Sequence, residues 1–86
     1  MRNGFDRKSF QICQTHAWEI EETVKNAPLM IGSEDKIPQI INESKKRYLQ
    51  VMSETNNIHK ASVASLLTAY IAIERAHNQF IASSQT

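Results

Sequence analysis

The sequence predicts an all-α fold: a helical hairpin or three-helix small domain with a short N-terminal helix or arm, assembled as a homo-oligomer. Three observations carry this. Only two glycines and two prolines punctuate 86 residues. Apolar residues recur at intervals of three and four rather than two, with no competing strand pattern. A single cysteine leaves no internal disulfide to support so small a core. A chain of this length forms one domain, residues 1–86, and buries roughly 60% of the surface its unfolded form exposes. Self-association is the expected remaining support.

The first helix is expected over residues 7–26. Phe10, Cys13, Ala17, Ile20 and Val24 follow a 3-4-3-4 spacing, and Pro28 stops the helix. Trp18 lies off that stripe, which implies either a second contact surface or an indole lying over the next segment. Residues 29–32 form a break. Ser33 is then placed to cap a second helix whose first turn holds Glu34 and Asp35, favourable against the helix dipole, with Pro38 also early. Its stripe of Ile37, Ile40, Ile41, Tyr48, Val51 and Met52 is interrupted at residues 43–47, so this helix is expected to be the more exposed one.

Asn56 and Asn57 end the second helix, and Asn57 is placed to cap the third. The third is expected over residues 58–82, with Val63, Leu66, Leu67, Tyr70, Ile73, Phe80 and Ile81 on one broad core face and His77 within it. Residues 83–86 read as a frayed tail. On this helix Ala69, Ala72 and Ala76 form a separate face of small residues, which lets another backbone come close. In so short a chain the expected neighbour there is a second copy.

Composition narrows the function classes. Ten Lys and Arg stand against nine Asp and Glu, a net charge of +1, too balanced for a protein that tracks long nucleic acid through counterion release. The third helix has only Lys60 and Arg75 as cations, too few for a DNA-reading helix. There is no apolar run long enough for a membrane span or signal peptide, and the lone thiol suits a reducing cytoplasm.

Cys13 and His16, one turn apart, have the types needed for a nucleophile and base, or for two metal ligands with His59 or His77. A third orienting group, an oxyanion site and the paired spacing of a structural zinc site are missing. The plainer reading is a small core cysteine and ordinary helix histidines, with no metal, no cofactor and no catalytic residue. The opening stretch is different in kind. Phe5 and Phe10 alternate with Arg7 and Lys8, and rings stack on bases while cations pair with phosphates. The alternative is an arm whose rings join the bundle and whose charges are solvated. Lys25 joins a site there if the arm folds back along the first helix. Lys45, Lys46 and Arg47 read as a solvated face, and Arg75, beside the alanines, as a salt-bridge partner or a phosphate contact at a subunit junction.

The third helix resembles the C-terminal helix of the phage anti-CBASS cyclic-oligonucleotide sponge family. That family's motif runs threonine, glycine, phenylalanine, methionine, alanine, leucine, any residue, arginine, alanine. Here the positions hold Thr68, Ala69, Tyr70, Ile71, Ala72, Ile73, Glu74, Arg75 and Ala76. Val24 and Lys25 stand where the family has an Ile-Lys pair. The resemblance implies a helical hairpin with a short N-terminal helix, assembled as a homohexamer that sequesters cyclic nucleotide messengers without cleaving them.

The resemblance places the base-stacking ring at Phe10 or at Phe5, and a phosphate-contacting lysine at Lys25. The family's arginine for cyclic trinucleotides aligns with Val63, so binding of trinucleotides here requires His59 or Lys60 in its place. The segment 33–55 has no counterpart. The expected function is therefore a non-enzymatic sponge for cyclic dinucleotides of the cyclic GMP-AMP type, acting in the cytoplasm of an infected bacterial host. The alternative is a small phage or plasmid protein that inhibits a host protein by docking on it, with Trp18 as anchor.

Overall fold

A computed structural model describes residues 12–84, and these are all-helical, without a strand. Helix α1 spans Gln14–Lys25, two short 3₁₀ turns follow at Pro28–Met30 and Glu34–Lys36, α2 spans Ile37–Thr55 and α3 spans Ile58–Ser84. The long helices α2 and α3 form a hairpin on which α1 lies, touching both. The described part measures 56 × 20 × 19 Å, and its long dimension follows α3, whose 27 residues extend about 40 Å at 1.5 Å per residue.

Local chemistry sets the boundaries. Cys13 has extended backbone (φ −61°, ψ 135°), so α1 begins at Gln14, and residues 7–11 of the helix expected over 7–26 lie outside the described residues. It closes at Asn26, whose N–H bonds the Glu22 carbonyl. Pro28 opens the first 3₁₀ turn and Pro38 lies in the first turn of α2, where the missing N–H costs nothing. Asn56 adopts left-handed backbone, φ 51°, and ends α2; the Asn57 side-chain oxygen accepts from the Lys60 N–H at 3.0 Å and starts α3. Ser33 does not cap: its hydroxyl donates instead to the Ala76 carbonyl at 3.4 Å, fastening the α1–α2 connection to α3. Helix α3 continues through Ser84, so residues 83 and 84 are not a frayed tail.

Which side of each helix faces inward differs from the periodic reading. On α1 the buried row is His16, Ile20 and Val24, while Cys13 is exposed and Ala17 half-buried. On α2 the supposed interruption contains Ser44, fully buried with its hydroxyl donating to the Ile40 carbonyl at 2.9 Å. The helix therefore keeps a continuous inner row of Ile40, Ser44, Tyr48, Val51 and Met52.

On α3 the inner row is the small one: Ala61, Ser65, Ala69, Ile73 and Ala76. Val63, Leu67, Tyr70, Phe80 and Ile81, expected in the core, are exposed. The alanine face expected to meet a second copy is filled by this chain's own helices. Small side chains there let α2 and α1 approach α3 closely, so bulk is supplied from the opposite side by Tyr48, Ile20 and Met30. Two apolar clusters result. One joins Ile20, Val24 and Met30 to Ile40, Ala69, Ile73 and Ala76; the other, nearer the hairpin turn, joins Tyr48, Val51, Met52 and Ala61.

Candidate functional site

Four of the residues expected to bind ligand, Phe5, Arg7, Lys8 and Phe10, lie outside the described residues. The other two, Lys25 and Arg75, occupy different places. Lys25 ends α1 with its side chain about half exposed and its ammonium 4.0 Å from Glu21. Glu21 is engaged more closely by Lys45, at 2.9 Å. That bond, with the added charge of Lys45 and then of Lys25, holds the Glu21 carboxyl below its usual range. Lys45 is thus a strut between α1 and α2 and not part of a wholly solvated face. Arg47 is engaged with Gln50, at 2.9 Å.

Arg75 sits on the outer side of α3 and has no hydrogen-bond or ion-pair partner among the described residues. It lines a cleft of about 160 Å³ between the start of α2 and the second half of α3, opposite Lys36, Gln39 and Glu43 and beside Gln79. Ile40, Ala72 and Ala76 complete the lining, so small residues at the helix contact also leave room for this cleft. Lys36, equally without an ionic partner among the described residues, precedes α2 and adds its charge to the positive end of that helix. Lys25 does not line this cleft.

The Cys13 and His16 pair separates. Cys13 is exposed ahead of α1, where the N–H groups of His16 and then Thr15 favour the thiolate and lower its pKa. His16 points inward. Its Nε2 is hydrogen-bonded with the Ser65 hydroxyl, its ring stands 4.8 Å from that of Tyr48, and its Nδ1 lies 3.7 Å from Glu19. Burial holds its pKa below the ordinary 6.5, against the opposing pull of Glu19.

The order Ser65, His16, Glu19 matches the residue types of a nucleophile, base and orienting acid. Ser65 is fully buried, however, and donates to the Ser62 carbonyl at 3.0 Å, and the trio ties α1 to α3. Spacing missed it because its members come from two helices. Among the described residues no cluster of His, Cys, Asp and Glu is suited to hold a metal, and no helix is long and apolar enough to cross a membrane.

No family model, curated protein or solved structure matches this chain.

Residues 68–76, which carry the resemblance to the sponge family, therefore stand on their own geometry. Ala69 and Ala76 face inward and Ala72 is half-buried. Thr68 bonds back to the Ala64 carbonyl at 2.9 Å, while Tyr70, Ile71 and Arg75 are exposed. Trp18 is 62% exposed, so its indole does not lie over the next segment. Sequence reasoning missed Lys36, Gln39 and Gln79 as neighbours of Arg75. They come together only once the hairpin closes, since Lys36 and Gln39 lie at the start of α2 and Gln79 in the second half of α3.

Proposed function

We propose that the protein binds and sequesters a cyclic dinucleotide of the cyclic GMP-AMP type without cleaving it. In an infected bacterial host this would withhold the messenger from CBASS effectors. The observation that carries the reading is Arg75: an arginine with no partner among the described residues, facing Lys36 across a cleft that also offers amide groups. A guanidinium and an ammonium lining one cleft suit a phosphodiester, the guanidinium offering paired donors and the ammonium a point charge. The motif at residues 68–76 supplies the second support. Lys25, solvent-facing at the end of α1, is a separate phosphate contact in this reading. Assembly into a homo-oligomer is supported by the apolar side chains of Val63, Leu67, Tyr70 and Ile71, exposed along α3.

The test is thermal unfolding with a panel of cyclic di- and trinucleotides, followed by recovery of the ligand. A melting temperature that rises with a cyclic dinucleotide, and ligand returned intact, are expected; ligand present at 100 times its Kd adds about 2.7 kcal/mol of stability. No shift with any member of the panel defeats the reading, and hydrolysed ligand replaces it with an enzyme.

One observation favours a second reading, inhibition of a host protein by direct docking. Trp18 is open to solvent, as an interface anchor must be before its partner arrives. A monomer in solution whose Trp18 emission stays solvent-like at all concentrations would favour docking over the sponge.

A further inference from the structure

We infer that the Arg75 cleft is one half of a longer nucleotide groove in which Lys36 and Arg75 hold the phosphate and Phe80 is the platform for the base. This rests on the phosphodiester reading above and assigns the ligand's position within it. The cleft continues directly into a second depression of about 230 Å³, with Lys36, Ala76 and Gln79 common to both. Phe80 stands in the wall of that second part and is 41% exposed.

The ring is held in place from below. Gly32, with φ +94°, lies so close that a Cβ there would fall 2.6 and 2.7 Å from Cε1 and Cε2 of Phe80. The ring tip therefore rests on backbone that no other residue could offer without movement. An aromatic surface that shares its depression with Lys36 and adjoins the cleft of Arg75 is a combination that can take a base and its phosphate together.

The polar side chains refine the fit. Gln79 has no hydrogen-bond partner among the described residues and lies between the two parts of the groove, placed to meet a ribose hydroxyl or a base edge. Gln39 reaches toward Glu43, at 3.5 Å, which leaves its carbonyl oxygen available. Each part also has a carboxylate in its lining, Glu43 in the first and Asp35 in the second. They repel a continuing phosphate chain, so the groove admits a single phosphate or diester and rejects a long polyanion. A carboxylate ligand would satisfy the cations alone. Phe80 and Gln79 are what select a nucleoside attached to the anion.

The experiment is a ¹H–¹⁵N NMR titration of the full chain with inorganic phosphate, adenosine 5′-monophosphate and cyclic GMP-AMP. Phosphate is expected to shift the signals of Lys36 and Arg75. The two nucleotides should in addition shift Gln79 and Phe80, saturably. The double variant Lys36→Gln, Arg75→Gln should weaken all three ligands at least tenfold. Phe80→Leu should weaken the nucleotides and leave phosphate unchanged, and Lys46→Gln, an exposed lysine outside the groove, serves as control. Circular dichroism confirms that each variant is folded.

If cyclic GMP-AMP binds but the groove signals stay still and the double variant binds normally, the groove is wrong and the sponge survives. If phosphate and mononucleotide shift the groove while no cyclic dinucleotide binds, the groove stands and the sponge falls. Silence from all three ligands overturns both.

Discussion

His16 of α1 and Ser65 of α3, 49 residues apart in sequence, are joined by a hydrogen bond inside the helical bundle. The Ser65 hydroxyl also reaches the Ser62 carbonyl at 3.0 Å, and the Nδ1 of His16 lies 3.7 Å from the Glu19 carboxylate. The imidazole is held neutral by burial, with Tyr48 of α2 against its ring. Because the folded-state pKa is lowered, the unfolded chain binds more protons just below pH 6.5 and stability rises with pH there. The contribution is fully present above pH 6.5 and is lost as pH falls toward the lowered value. Urea unfolding across this range should show the loss in the wild type. His16→Phe, which keeps a ring against Tyr48 and leaves Ser65 its bond to Ser62, should flatten the dependence; an unchanged slope would assign it to another group.

Ala69 is fully buried where α3 meets the other two helices. Ala69→Leu forces bulk into a filled space and is expected to cost about 1–3 kcal/mol. Leu67→Ala, two positions away on the exposed side, should change monomer stability by less than about 0.5 kcal/mol. Chemical unfolding of both variants checks the inward face of α3, and the reverse order would restore the large-residue face as the core.

Gly32 combines φ +94° with the Phe80 ring overhead. Gly32→Ala should lose about 1–2 kcal/mol, since an L residue is strained in that region of backbone space, and should also displace Phe80. The double variant Gly32→Ala, Phe80→Ala removes the collision and keeps the strain. Recovery of part of the loss in thermal unfolding is the expected outcome.

Cys13 combines exposure with a thiol whose pKa is lowered by the His16 and Thr15 N–H groups. Thiolate is the reactive form, so iodoacetamide should alkylate Cys13 in the folded protein at least as fast as in urea, where those N–H groups are released. Protection on folding would mean that the thiol is covered.

The candidate site was only partly legible in sequence. Arg75 stood out because a cation beside small residues implies a close neighbour. That neighbour proved to be α2 of the same chain, which brings Lys36 to face Arg75. Lys36 itself, between Asp35 and Ile37, gives no sign of this partnership. Ser44 misled for the opposite reason: a polar residue among Glu43, Lys45 and Lys46 reads as solvated, yet it satisfies its hydroxyl on the Ile40 carbonyl and is buried at no polar cost.

The sequence by itself determined the helical class and most of the helix boundaries, because Pro28, Pro38, Asn56 and Asn57 act through their own backbone geometry and hydrogen-bonding groups, needing no distant partner. Only the tertiary structure decided which side of α3 turns inward. That helix carries large apolar residues on one side and small ones on another, and periodicity cannot choose between them. Close approach of α1 and α2 along Ala61, Ser65, Ala69 and Ala76 chose the small side, because shape complementarity, and not hydrophobicity alone, sets how near two helices can come.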